Sequence, residues 1–199
     1  MNIHSESGVL QKEVIAGKTV CVAVGTITFT FLTIMGAFIR IPLPFTPVPI
    51  TAQTFFVFLA GLCLSKRWGA ISQISYLLLG AGGLAVFAGG GGLLYLAGPT
   101  GGYLLGFVAC AWIIGRLIEV KEKTTFGWVV FSVFAGSMAL YLLGTVHLML
   151  VARVSVGKAI SLGVLPFIPG YILKMFSASL FFWKFNHRIR QIFPRENGS

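Results

Sequence analysis

The feature that most constrains this chain is a succession of six apolar runs almost free of charge, at about 19–39, 50–64, 69–85, 101–118, 126–150 and 166–185. A helix needs roughly 20 apolar residues to cross a bilayer. The runs are therefore expected to be membrane spans, and 199 residues leave no room for a sizeable domain outside them. With 56% hydrophobic and 10% charged residues and a mean hydropathy of +0.90, the chain lacks the polar surface of a water-soluble globule. The expected fold class is an all-α integral membrane protein, a compact six-transmembrane-helix bundle with a ligand cavity near the outer face. Residues 1–18 form a cytoplasmic N-terminal segment, 19–185 the transmembrane domain and 186–199 a basic cytoplasmic tail. The second and third runs are short, so they must tilt, thin the bilayer or be buried by neighbouring helices, which implies a compact bundle.

The net charge of +10 does not indicate nucleic acid, because the basic residues stand singly or in pairs between apolar runs, with no clustered stripe to meet phosphates. It sets topology instead. With the N-terminus inside, Lys12, Lys18, Lys66, Arg67, Arg116, Lys121, Lys123, Lys184, Arg188, Arg190 and Arg195 fall on the cytoplasmic side. Only Arg40, Arg153 and Lys158 fall outside. Basic residues collect in cytoplasmic loops, so both termini are expected to be cytoplasmic. All five acids, Glu6, Glu13, Glu119, Glu122 and Glu196, lie on that same side. The outer face thus carries basic groups alone, which either favours an anionic substrate or is incidental to small loops. The first twenty residues carry Glu6, Lys12, Glu13 and Lys18 and no small-residue cleavage site, so the first run reads as a span and not as a removable signal.

Three segments interrupt the lipid-like pattern, and this topology puts all of them outside: IPLPFTPVPIT at 41–51, VFAGGGGLLYLAGPTGG at 86–102, and 152–170 ending in PFIPG. Irregular backbone is tolerated at membrane depth only where it is buried in protein or lines a cavity. The three together are expected to cap a binding cavity. Pro42, Pro44, Pro47 and Pro49 make the first a stiff strap ending at Thr51 and Gln53. The glycines from 89 to 92, Gly91 among them, and those around Thr100 and Gly101 can bring backbone amides close to a ligand. Phe87, Tyr95 and Tyr103 offer flat surfaces to an apolar ring. Spans two, four and six all begin at the outer side, so three helix N-termini face the cavity, a polarity suited to a carboxylate.

Lys174 is the one basic side chain well inside a span. Such a placement costs at least about 2.5 kcal/mol, which marks it as a binding residue, with snorkelling as the alternative. Tyr171 shares its helical face. His147, late in span five, reads more readily as an interhelical hydrogen-bonding residue than as a ligand contact. Gly17, Cys21 and Gly25 form a small-residue stripe on span one for close helix packing, against the chain's own helices or a partner's. The three cysteines lack metal-site or disulfide spacing, and neither a nucleotide-binding loop nor a catalytic dyad is present, so no metal, cofactor or enzymatic activity is expected.

The pieces IPLPFTPVPITAQT at 41–54, GLAVFAGG at 83–90, GPTGGYLLGF at 98–107 and PFIPGYILK at 166–174, in this order, resemble the BioY family. These are substrate-binding components of biotin transporters of the energy-coupling-factor type, and the resemblance spans about residues 20–185. It implies a non-enzymatic receptor of the bacterial plasma membrane that holds biotin under the outer loops. Its implied partners are a transmembrane coupling protein and two ATPases, with a homo-oligomer as the alternative. Two positions depart from the family pattern: Tyr171 stands where an acid is common, and Gly91 where an arginine is frequent. Biotin's ureido ring then has to find partners among Tyr171, Gln53 and loop amides. A different vitamin or a biotin precursor is the rival ligand, and an integral membrane enzyme using Lys174 or His147 the rival class.

Overall fold

The computed structural model describes residues 3–193. Helix α1 (Ile3–Phe38) leads into a two-stranded antiparallel ribbon, β1 (Arg40–Ile41) with β2 (Ile50–Thr51), in which Arg40 pairs with Thr51 and Ile41 with Ile50. There follow α2 (Gln53–Ala81), the short α3 (Leu93–Ala97), α4 (Gly101–Val120), α5 (Phe126–Ala152), α6 (Val156–Gly163), a 3-10 turn (Leu165–Phe167) and α7 (Ile168–Ile192). Five helical stretches are long and apolar enough to cross a membrane. The α2 stretch is itself two helices, because Ser65, at φ 74° and ψ 176°, breaks it into arms of residues 53–64 and 66–81. The chain is thus the expected multi-pass helical membrane bundle, with the two arms of α2 counted as separate helices.

Ser65 occupies a backbone region that is essentially glycine's own, a strain of about 1–3 kcal/mol. Its surroundings hold it there. Glu119, on α4, accepts the Lys66 backbone N–H at 3.1 Å and pairs with Lys66 Nζ at 3.1 Å, so a carboxylate sits at the N-terminus of the second arm. Gly115 makes the approach possible: a Cβ there would lie 2.5 Å from the Ser65 carbonyl carbon. The arms turn back on each other closely, a Cβ at Gly69 falling 3.0 Å from the Ala60 oxygen.

The core lies between α2, α4 and α5, where small residues replace bulk at the crossings. Gly61 abuts the Ala111 carbonyl, and Gly106 abuts the Leu140 backbone. Hydroxyls and an amide join α1 to the second arm of α2: Thr30 Oγ1 donates to the Ser72 carbonyl at 2.9 Å, and fully buried Gln73 meets Thr33. On the opposite side of α1, Val20, Val24, Ile27, Phe31 and Met35 are exposed at helical spacing, forming a lipid-facing stripe.

Two boundaries differ from the expectation. The segment 152–170 is not irregular throughout, since Ser155 accepts from the Lys158 N–H and starts α6. The last helix continues through Ile192, so it runs on past the sixth apolar run over residues 186–192.

Candidate ligand-binding site

The connections at 39–52, 82–100 and 153–167 meet at one end of the bundle and are laced together. Thr46, in the strap, donates to the Leu162 carbonyl at 2.8 Å, and Tyr103, on α4, donates to the Gly163 carbonyl at 2.8 Å. Under them lies a cavity of about 70 Å³, bounded by the strap from Val48 to Thr51, the first turn of α2, Tyr95, the start of α4, the middle of α5 and Lys174 of α7.

Among the described residues Lys174 is its only charged lining residue. Its ammonium donates to the Thr51 carbonyl at 2.6 Å and to Thr54 Oγ1 at 3.0 Å, which leaves one of three protons for a ligand. Among the described residues no acid lines the cavity. A second relay starts at the same strap end: Thr51 Oγ1 donates to Gln53 Oε1 at 3.1 Å, the Gln53 amide donates to the Tyr76 hydroxyl, and Tyr76 donates to the Val86 carbonyl at 3.3 Å. Strap, both arms of α2 and the glycine-rich connection are thereby held in one polar chain.

Of the residues singled out in the sequence, Thr51, Gln53, Tyr95, Thr100, Tyr103 and Lys174 line the cavity. Phe87, Gly91, Gly101 and Tyr171 do not. Phe87 is buried behind Tyr95, with the rings stacked at 5.2 Å, and meets Tyr76 edge-on at 5.4 Å. Gly91 and Gly101 give way to the chain itself: a Cβ at either would run into a backbone carbonyl, of Leu84 and Leu96 respectively. The Gly101 N–H already donates to the Gly98 carbonyl at 3.0 Å, so that helix terminus does not offer its first amide. Tyr171 is wedged edge-on between Phe58 and Tyr141, and its hydroxyl donates to Met175 Sδ at 3.2 Å.

His147 Nε2 lies 3.0 Å from the Gly98 carbonyl oxygen, pinning α5 to the loop before α4. The small-residue stripe on α1 divides: Gly25 is covered by Phe193 and Leu64 of the same chain, while Gly17 and Cys21 are exposed.

Sequence reasoning missed Tyr141 and Thr54, which line the cavity from α5 and α2. Tyr141 carries the signal that picked out Lys174, a polar tip in the middle of an apolar span. Among the described residues its hydroxyl has no hydrogen-bond partner.

A profile of the BioY family matches residues 11–191. The chain belongs to the BioY family. It is 46% identical over 153 residues to a protein of Thermotoga maritima named biotin transporter BioY, covering 76% of this chain and 88% of that protein. A Rhizobium etli protein of the same name is 38% identical over 154 residues, covering 73% and 82%. The fold matches the crystal structure of the S-component for biotin of an ECF-type ABC transporter, with a TM-score of 0.81 at 24% identity, over 88% of this chain and 96% of that one. The BioY assignment places this chain in a family of transporters, and the capped cavity is where a transported solute has to be sought.

Proposed function

We propose that this chain captures biotin at the outer face of the bacterial plasma membrane and serves as the substrate-binding component of its importer. The observation that carries the reading is the polar arrangement around Lys174. A lysine at membrane depth, with no acid beside it and one proton uncommitted, is matched to an oxygen acceptor on a ligand. Tyr95 and Tyr103 supply aromatic walls of the kind a bicyclic ring packs against. Family membership and the names of the relatives support the same ligand.

The same reading has both termini cytoplasmic. The capping connections share one end of the bundle, and the basic residues of the turns at Lys66 and Lys121 share the other, as the positive-inside asymmetry requires. The chain acts as a receptor without a cofactor or catalytic step of its own, and a transmembrane coupling protein with two ATPases energises release inward. Exposed Gly17 and Cys21 leave α1 open to close helix approach.

Equilibrium binding of radiolabelled biotin to the purified, detergent-solubilised protein tests the ligand, with dethiobiotin, thiamin and riboflavin as competitors. Saturable biotin binding resisted by thiamin and riboflavin is expected. Displacement by either of those, or no biotin binding, refutes the proposal. Co-purification of ATPase subunits from native membranes tests the partners.

A further inference from the structure

Beside the cavity around Lys174 lies a second, larger chamber of about 400 Å³, lined along the strap by Arg40, Leu43 and Thr46. The two adjoin, sharing Pro49, Ala88 and Tyr95 in their walls. An elongated ligand with a ring at one end and an acid at the other suits two adjoining chambers.

Each chamber contains one cation and no acid, Lys174 in the inner and Arg40 in the outer. The two are not equivalent. Lys174 has spent two protons on Thr51 and Thr54, whereas among the described residues the Arg40 guanidinium has no ion-pair or hydrogen-bond partner. A guanidinium fork matches both oxygens of a carboxylate, and the exposed outer chamber lets that carboxylate stay partly hydrated, which lowers its cost of desolvation. A neutral ring carbonyl suits the single remaining proton of Lys174. The ribbon links the two: Arg40 of β1 pairs with Thr51 of β2, whose carbonyl holds Lys174.

We propose that the outer chamber is a carboxylate subsite, in which Arg40 binds the acid of the ligand while its polar ring enters the inner chamber toward Lys174. This rests on the biotin reading above. The test compares biotin with its methyl ester, which keeps the ring and loses the charge, on the wild type, Arg40→Gln, Arg40→Lys and Lys174→Gln. The wild type is expected to prefer biotin about tenfold, the scale of one charge-assisted hydrogen bond. That preference should fall to within about twofold in Arg40→Gln and persist in Arg40→Lys and Lys174→Gln. A preference that survives Arg40→Gln, or that is lost in Lys174→Gln instead, overturns the subsite, as does a wild type that binds acid and ester equally. If Lys174→Gln binds too weakly to measure, the contrast between Arg40→Gln and Arg40→Lys decides. A wild type that binds neither ligand overturns the biotin reading itself and the subsite with it.

Discussion

Replacing Lys174 with methionine isolates what the buried ammonium contributes, because the side chains are similar in length and flexibility. In the native chain the ammonium donates to the Thr51 carbonyl and to Thr54 Oγ1 and has one proton left toward the cavity. Losing a charged donor to a ligand oxygen costs about 1.5–3 kcal/mol, a roughly 10- to 150-fold rise in Kd. The fold should not suffer in parallel. Thr51 and Thr54 border the cavity, so water can take over the acceptors at a cost below about 1 kcal/mol. Removing a lysine from membrane depth returns at least about 2.5 kcal/mol of insertion cost. The variant should therefore match or exceed the wild-type Tm in detergent while binding biotin at least tenfold more weakly, measured by titration calorimetry alongside thermal unfolding. A Kd within about twofold of the wild type would refute the assignment of Lys174 to the ligand. Weaker binding accompanied by a marked fall in Tm would refute the claim that its two protein hydrogen bonds are dispensable to the fold.

Tyr141→Phe removes a hydroxyl that has no protein partner but borders the cavity, and its ring remains held edge-on by Tyr171 at 5.6 Å. Biotin affinity should fall about fivefold, the scale of one neutral hydrogen bond, with Tm unchanged; unaltered affinity would show that the hydroxyl serves only water. Glu119→Ala leaves the Lys66 N–H without its acceptor and removes the carboxylate from the head of the second arm of α2. It should destabilise the protein by about 1–3 kcal/mol in denaturant unfolding, with biotin affinity unchanged. Ser65→Gly relieves the positive φ at the same turn and should stabilise the fold by about 1 kcal/mol in the same assay.

The six apolar helices were legible because hydrophobic run length is a direct physical requirement of a bilayer, and even the two short ones showed, separated by Ser65, Lys66 and Arg67. The way they are separated did not show. Neither glycine nor proline marks the break at Ser65; its strained backbone is imposed by Glu119 and Gly115, which lie about fifty residues away in sequence. Helix α6 was hidden inside a segment judged irregular, although Ser155 three residues before Lys158 is a readable cap. Polar groups in apolar surroundings marked positions that line the cavity, as Lys174, Gln53 and Thr51 illustrate. Glycines did not. A glycine that yields to a ligand and one that yields to its own chain look alike in sequence, and Gly91 and Gly101 turn out to be of the second kind.

The way Lys174 is held also explains why an ionisable group so costly in a membrane is placed on the last helix. Its hydrogen bonds to Thr51 and Thr54 span more than a hundred residues of sequence and tie α7 to the strap and the first arm of α2. Thr46 to Leu162 and Tyr103 to Gly163 tie that strap and α4 to the connection leading into α7. Below this level glycine contacts and apolar side chains, as at Gly61 and Gly106, combine with polar links such as Thr30 to Ser72 and Lys66 to Glu119. The capping end is closed chiefly by a few directional bonds between distant parts of the chain. A ligand oxygen that accepts the third proton of Lys174 joins that set of bonds directly. It completes the hydrogen bonding of the one cation lining the inner cavity and draws α7, the strap and α2 onto a common partner, so recognition and closure of the cavity draw on the same few groups.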